Sequence, residues 1–343
     1  MSRLDEIKGI LPDPEDADPI STGSALRDRI TVLNERLWEG RVNGPLVTEW
    51  LENFDGKSGF DVETEQLHAL YWLSQFLYYG SVEIRILLKT LYRDLFLIPL
   101  IQEVRASNGD SRDVAVLRPL LEQKIMATRF LGIGNPSESG VHLLYYFRQE
   151  NSLSRSNFLD GSQMTKRISL PDGGSTRVIA DEGVEQYVFL DDVCGSGKTA
   201  LDYSSNVLAD LRDLNSTAKF CYYSLFGTKA GIDKTRNESL FATNCSAVIE
   251  LDDSYRCLSE HSRYLKVVPQ GIDIETLKTL ALHYGQLICP GHSGGYDDSQ
   301  MLFGFHHNTP DNTLPIMWGE RINGAQINWT PAFRRYPKIG ALA

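Results

Sequence analysis

The stretch of this chain richest in potential chemistry is YVFLDDVCGSGKTALDYSSNVLADL, residues 187–211. An apolar run there ends in two adjacent acids, and a glycine-serine loop leads into a helical pattern opening at Lys198-Thr199. In a strand-loop-helix unit of this kind the loop amides point into a helix N-terminus, where unpaired N–H groups and partial positive charge favour a phosphate. Gly195 and Gly197 let the backbone approach closely, and Ser196, Lys198 and Thr199 add donors. Asp191 and Asp192 would repel that phosphate; they suit hydroxyl groups, or a magnesium ion, on the rest of the ligand. The composite ligand is a sugar with a phosphate at one end.

The elements that must hold this segment follow from the pattern after Met126. Short β-branched or aromatic runs ending in Gly, Asp or Ser loops alternate with helical stretches, which predicts an α/β fold of βαβ units around a parallel sheet. Strands are expected at residues 129–133, 187–190, 219–225, 247–251 and 300–306, with helices starting near Gly140, Lys198, Ile232 and Ile274. Residues 1–23 are an acidic lead-in with several prolines. Residues 24–127 place Leu26, Ile30, Leu33 and Leu37, and later apolar faces, at three- and four-residue steps, which predicts a mostly helical region. It holds no cluster of acid, base and nucleophile and is expected to be a packing or partner-docking layer. Residues 128–343 are then the α/β domain, with a polar insertion at 151–176 as either a disordered segment or a lid, and a C-terminal elaboration at 290–343.

Composition narrows the function classes. The chain has 343 residues, 42% hydrophobic and 23% charged, enough to bury a core. With 34 Lys+Arg against 45 Asp+Glu its formal charge is −11, which disfavours coating nucleic acid through phosphate contacts. No apolar run approaches the roughly 20 residues of a membrane helix, and the N-terminus lacks the apolar core of a secretory signal; a cytoplasmic protein without membrane contact is expected. The five cysteines, Cys194, Cys221, Cys245, Cys257 and Cys289, are odd in number with no C-x-x-C pair, against both a disulfide framework and a zinc site. Cys194 lies near a helix N-terminus, which can lower a thiol pKa, yet the expectation is a small packed residue.

Two families share parts of the acid-pair motif. DVCGSGKT resembles a Walker A loop except that Asp192 stands where the first glycine belongs; AVIELDDS, with Asp252 and Asp253, would be its Walker B partner. This P-loop ATPase reading is the weaker, because the Asp192 charge would sit beside the phosphate cradle. The better match is the phosphoribosyl pyrophosphate motif of type I phosphoribosyltransferases, which Val188 to Leu190, Asp191-Asp192, Val193 and Ser196 to Thr199 resemble closely; Phe189, Cys194 and Gly195 depart from its strictest form. The resemblance implies that Asp191 and Asp192 are the catalytic pair meeting the ribose 2′- and 3′-hydroxyls. It also implies that Gly195, Ser196, Gly197, Lys198 and Thr199 cradle the 5′-phosphate. Upstream, RFLGIGNPSESGVHLLYYFRQEN has the form of the family's pyrophosphate element, with Ser137, Glu138, Ser139 and Gly140 at a helix N-terminus; an ordinary turn plus helix cap reads equally well there. Residues 151–176 take the place of the flexible hood, where Lys166 and Arg167 either neutralise departing pyrophosphate or are simply solvated.

Together with GYDDSQMLFGFHHNTPDNTLPIMWGE near the C-terminus, these segments make most of the chain similar to the PRTase-CE group of bacterial conflict systems, some members of which accompany retron reverse transcriptases. That resemblance implies a type I phosphoribosyltransferase-like core and a role as an antiphage defence component. It also implies a ligand of the phosphoribosyl pyrophosphate or nucleotide kind, with Mg²⁺ carried by the ligand and no metal bound directly by the protein. A defence-system protein or a retron nucleic-acid complex would be the partner. His307, Asn308 and Asn312 are candidate acceptor-pocket residues, with a hydrogen-bonded turn as the alternative; the adjacent His306 and His307 would point to opposite faces of a strand and do not suit one metal ion. The activity expected is pentosyl transfer or N-glycosidic cleavage. A catalytically inactive nucleotide-sensing module remains the alternative from a different class.

Overall fold

The apolar periodicity of the N-terminal third folds as helices, the second and third of which open on side-chain caps. In the computed structural model, which describes residues 19–134, 139–320 and 327–336, these are α1 (Pro19–Arg36), α2 (Gly44–Leu51) and α3 (Val62–Ser74). Asn43 Oδ1 accepts the Leu46 N–H at 3.0 Å, and Asp61 Oδ1 the Thr64 N–H at 2.9 Å. A short strand, β1 (Leu77–Tyr79), precedes α4 (Ser81–Thr90), which runs through a π-helical stretch, Leu91–Leu97, into α5 (Ile98–Ala106). Pro99 sits in the first turn of α5, where its missing N–H is least costly. Then comes α6 (Val114–Met126).

From residue 128 the pattern becomes α/β: β2 (Thr128–Gly132), α7 (Ser139–Glu150), β3 (Thr165–Ser169), β4 (Ser175–Ile179), β5 (Gln186–Cys194), α8 (Lys198–Tyr203) and α9 (Ala209–Leu214), then β6 (Lys219–Thr228), α10 (Lys229–Glu238) and β7 (Cys245–Leu251). Strands β2, β5, β6 and β7 form one four-stranded sheet in the order β2-β5-β6-β7, every neighbouring pair parallel. Tyr187, Val188, Phe189 and Leu190 are all buried, the continuous apolar run expected of a parallel strand covered on both faces. The C-terminal part adds α11 (Ile274–Ile288), β8 (Phe303–Phe305) and α12 (Pro315–Trp318).

The chain divides into two compact units, residues 1–84 with 252–343, and residues 85–251. This division falls elsewhere than the boundary at 127/128 read from composition, and the core explains it. In the first unit Leu26, Ile30, Trp50 and Trp72 share one hydrophobic cluster with Leu277, Leu280, Ile316 and Met317. The Trp50 indole N–H donates to Ile316 O at 2.9 Å and that of Trp72 to Leu277 O at 3.0 Å, so the helices before residue 84 are completed by sequence some 200 residues away. In the second unit Phe96 lies edge-on to Phe130 at 5.1 Å, and Tyr92 edge-on to Phe147 at 5.9 Å; the helices after residue 85 cover the sheet. The last expected strand does not join that sheet: β8 pairs in parallel with β1. The polar insertion at 151–176 folds as 3₁₀ turns followed by the antiparallel ribbon of β3 and β4, closed by a turn in which Gly173 takes φ +85°.

His68 is buried in the first unit. His68 Nε2 accepts the Asp273 N–H at 2.9 Å while Nδ1 meets Thr64 O at 2.7 Å, an arrangement that requires the neutral ring with its proton on Nδ1. Burial lowers its pKa. A depressed folded-state pKa means stability that is fully present above the unfolded value of about 6.5 and is lost as pH falls through the folded value. The wild-type unfolding midpoint should therefore drop on going from pH 7.5 to 5.5, and His68→Gln, which cannot gain a proton there, should show a shallower slope by calorimetry.

Candidate functional site

Strand β5 does not stop before the acids. Asp191, Val193 and Cys194 pair with Ser224, Phe226 and Gly227 of β6, so the acid pair lies within the ladder near the C-terminal end of a central strand, where ligands of open parallel sheets bind. Both carboxylates are almost covered, at 8% and 9% exposure. Asp191 Oδ2 accepts the Tyr222 hydroxyl at 2.8 Å and Oδ1 accepts the Asp192 N–H at 2.9 Å, while Asp192 Oδ1 accepts the Val193 N–H at 2.8 Å. Burial first, and the neighbouring Asp192 charge second, push the Asp191 pKa well above the ordinary carboxylate range. Burial likewise raises the Cys194 thiol to about 11, and its side chain is buried in the core as expected.

Beyond Cys194 only Gly195, Ser196 and Gly197 separate the strand from α8. Gly197 takes φ +75° as the residue before the helix, a conformation that costs other side chains strain. The loop is fixed from outside: Thr228 Oγ1 donates to Gly195 O at 2.6 Å and accepts the Gly231 N–H at 2.9 Å. A Cβ on Gly231 would lie 2.1 Å from Gly195 O, and one on Gly197 2.8 Å from Gly231 O, so two glycines are needed for this close contact. Lys198 is exposed and pairs with Asp202 at 2.5 Å, one helical turn on.

A second strand-to-helix turn abuts the same strand. The Ile133 N–H donates to Leu190 O at 3.0 Å, and a Cβ on Gly140 would lie 2.8 Å from that oxygen. The N-terminus of α7 is thus packed one residue before the acid pair. Gly140 occupies this contact and Ser139 opens the helix; Ser137 and Glu138 lie outside the described residues. In the ribbon, Lys166 Nζ donates to Ala180 O at 3.0 Å, and Arg167 stands opposite Arg177; both Lys166 and Arg167 are exposed.

His307, Asn308 and Asn312 belong to the first unit. His307 and Asn308 line a cavity there, whereas Asn312 is buried and its amide donates to Ser299 Oγ at 2.9 Å; within the turn itself the Thr313 N–H donates to Pro310 O at 3.1 Å. The P-loop reading meets a strand where its loop should begin: Asp192 and Val193, the first two positions of the Walker A pattern, are residues of β5. Asp252 is used as a local cap, accepting the Ser254 N–H at 2.9 Å.

Three residues that hold the site were missed. Tyr222 is one aromatic among several in FCYYSLFGT, and nothing in the string marks its hydroxyl. Thr228 and Gly231 carried a usable signal: a threonine ending a strand, just before a helical run, is an N-cap pattern.

A four-stranded parallel sheet whose adjoining strand ends feed two helix N-termini beside a buried acid pair defines an α/β protein of phosphoribosyltransferase-like fold. The family model PRTase-CE matches residues 47–335, and the chain belongs to that family. Among solved structures it is similar to the Helicobacter pylori xanthine-guanine-hypoxanthine phosphoribosyltransferase, at 14% identity and a TM-score of 0.22, over 51% of this chain and 87% of that one. No curated protein matches the chain. Among the described residues no helix is long and apolar enough to cross a membrane.

Proposed function

We propose that the acid pair and its two flanking helix N-termini bind a phosphoribosyl pyrophosphate-type ligand with Mg²⁺, and that the protein transfers the pentosyl group or cleaves an N-glycosidic bond. The observation that carries this reading is the convergence on the end of β5: Asp191 and Asp192 in the ladder, the Gly195–Gly197 turn after them, and Gly140 against Leu190 O before them. Helix N-termini and loop amides suit the ligand's phosphates, and the aspartates suit ribose hydroxyls. The donor chemistry also fits magnesium, a hard cation that prefers carboxylate and phosphate oxygens and is commonly held by one or two carboxylates plus a ligand's phosphates.

Breaking the bond at the sugar's anomeric carbon builds positive charge on the ring, as in glycoside hydrolysis. Carboxylates beside the ring stabilise that charge, the Gly195–Gly197 turn holds the 5′-phosphate in place, and backbone amides at the N-terminus of α7 stabilise the leaving pyrophosphate oxygens. Magnesium, when bound with the ligand, would neutralise charge on the departing pyrophosphate. In this reading the exposed ribbon of β3 and β4 would be the hood that excludes water. Pyrophosphate release from phosphoribosyl pyrophosphate with Mg²⁺ and a mixture of bases tests this: release by wild type and at least about 100-fold less by Asp192→Asn, a loss of about 2.8 kcal/mol in transition-state stabilisation, is expected. Equal rates would overturn it.

One observation favours a second reading, a sensor that binds without turnover: Asp191 is turned onto Tyr222 in the interior. That reading predicts ligand binding with no pyrophosphate release. The antiphage role, with a defence protein or retron nucleic-acid complex as partner in the cytoplasm, rests on what PRTase-CE membership implies for this chain.

A further inference from the structure

The cavity in the first unit has no part in the account above. It encloses about 490 Å³ among the described residues, inside the roughly 300 to 1,000 Å³ usual for small-molecule sites. Its wall joins rings to charges of both signs. Phe305 and His307 are stacked at 5.4 Å and 20°, and Tyr78 and Phe333 at 5.7 Å and 28°. Around these rings Arg41 and Arg334 offer donors, Glu49 and Glu320 acceptors, and Asn308 both.

The charge balance selects among ligands. Among the described residues of the wall two guanidiniums are offset by two carboxylates, so a polyanion gains little net attraction from them. A flat heterocycle with mixed donors and acceptors meets the half-buried rings of His307 and Tyr78, backed by the buried Phe305 and Phe333, and partners of both kinds. A site of this volume also takes a molecule larger than a lone base. We propose that this cavity is a nucleoside site, taking an uncharged base-plus-ribose molecule, and that it binds independently of the acid pair. It rests on the cavity alone and not on the reading of Asp191 and Asp192.

The test is equilibrium titration of the full chain with adenosine, guanosine, cytidine and uridine, in wild type, His307→Ala, Arg334→Ala and the double variant Asp191→Asn/Asp192→Asn. Arg334 is exposed, so its variant tests the site even if His307→Ala unfolds. Saturable binding of at least one nucleoside, weakened about tenfold by Arg334→Ala or a folded His307→Ala and unchanged in the acid-pair variant, is expected. The proposal is overturned by no binding at millimolar nucleoside or by full binding in both cavity variants. Loss of binding in the acid-pair variant also overturns it, by assigning the nucleoside to the other site.

Discussion

Asp191→Asn should fold at least as stably as wild type, increasingly so as pH rises, while losing the phosphoribosyl ligand. The carboxyl is buried and its pKa raised by burial and by Asp192. A raised folded-state pKa means stability that is fully present below the unfolded value of about 3.9 and is lost as pH rises through the folded value. Asparagine resembles the protonated acid: its oxygen can accept the Asp192 N–H and its amide can donate to the Tyr222 oxygen. It removes the titration, so the difference in unfolding midpoint between variant and wild type should open above about pH 4 and persist through neutrality. At pH values where Asp191 is ionised, ligand affinity should fall about 100-fold, or about 2.8 kcal/mol at 1.4 kcal/mol per tenfold, because hydroxyls lose a charged acceptor. A variant that is both destabilised at pH 8 and still able to bind would contradict the assignment on both counts.

Gly231→Ala should be the most damaging single methyl in the second unit. Its Cβ would meet the Gly195 carbonyl oxygen at 2.1 Å and the Cys194 oxygen at 3.0 Å, both backbone atoms that cannot rotate aside. Either α10 or the loop between Cys194 and Lys198 must move, at about 3 kcal/mol, the upper end of ordinary overpacking costs. Since the loop is the phosphate cradle of the proposed site, ligand affinity should fall at least about tenfold as well. Gly44→Ala, where nothing lies within 4 Å of the added carbon, is the control and should leave both unchanged. Thermal unfolding and titration of the two variants check this, and a Gly231→Ala protein with wild-type midpoint and affinity would remove the loop contact from the account.

Much of this was legible in the chain. The expected strand at 129–133, the helix starts near Gly140, Lys198 and Ile274, and the glycine turn after the acids all stand within a few residues of the observed elements, because apolar runs ended by Gly, Asp and Ser mark strand-to-helix connections whatever their partners. The extent of β5 was less legible. Its apolar run ends at Leu190, but backbone pairing with β6 carries it through Asp191 and Asp192 to Cys194, and ladder hydrogen bonds do not depend on side-chain polarity. Strand partners were not legible at all. Phe303–Phe305 reads like the other short aromatic strands, yet it pairs with Leu77–Tyr79, in a stretch whose neighbours are helical. Nor does periodicity reveal that α1 to α3 are completed by residues beyond 252; that follows from the tertiary fit of Trp50 and Trp72 to Ile316 and Leu277.

The most direct measurement of the central claim is calorimetric titration of the full chain with phosphoribosyl pyrophosphate and with ATP, each with Mg²⁺, beside Asp191→Asn/Asp192→Asn. Saturable binding of the ribosyl donor in preference to ATP, abolished in the double variant, is the predicted result. Binding of ATP alone, or equal binding of the donor by both proteins, would contradict it.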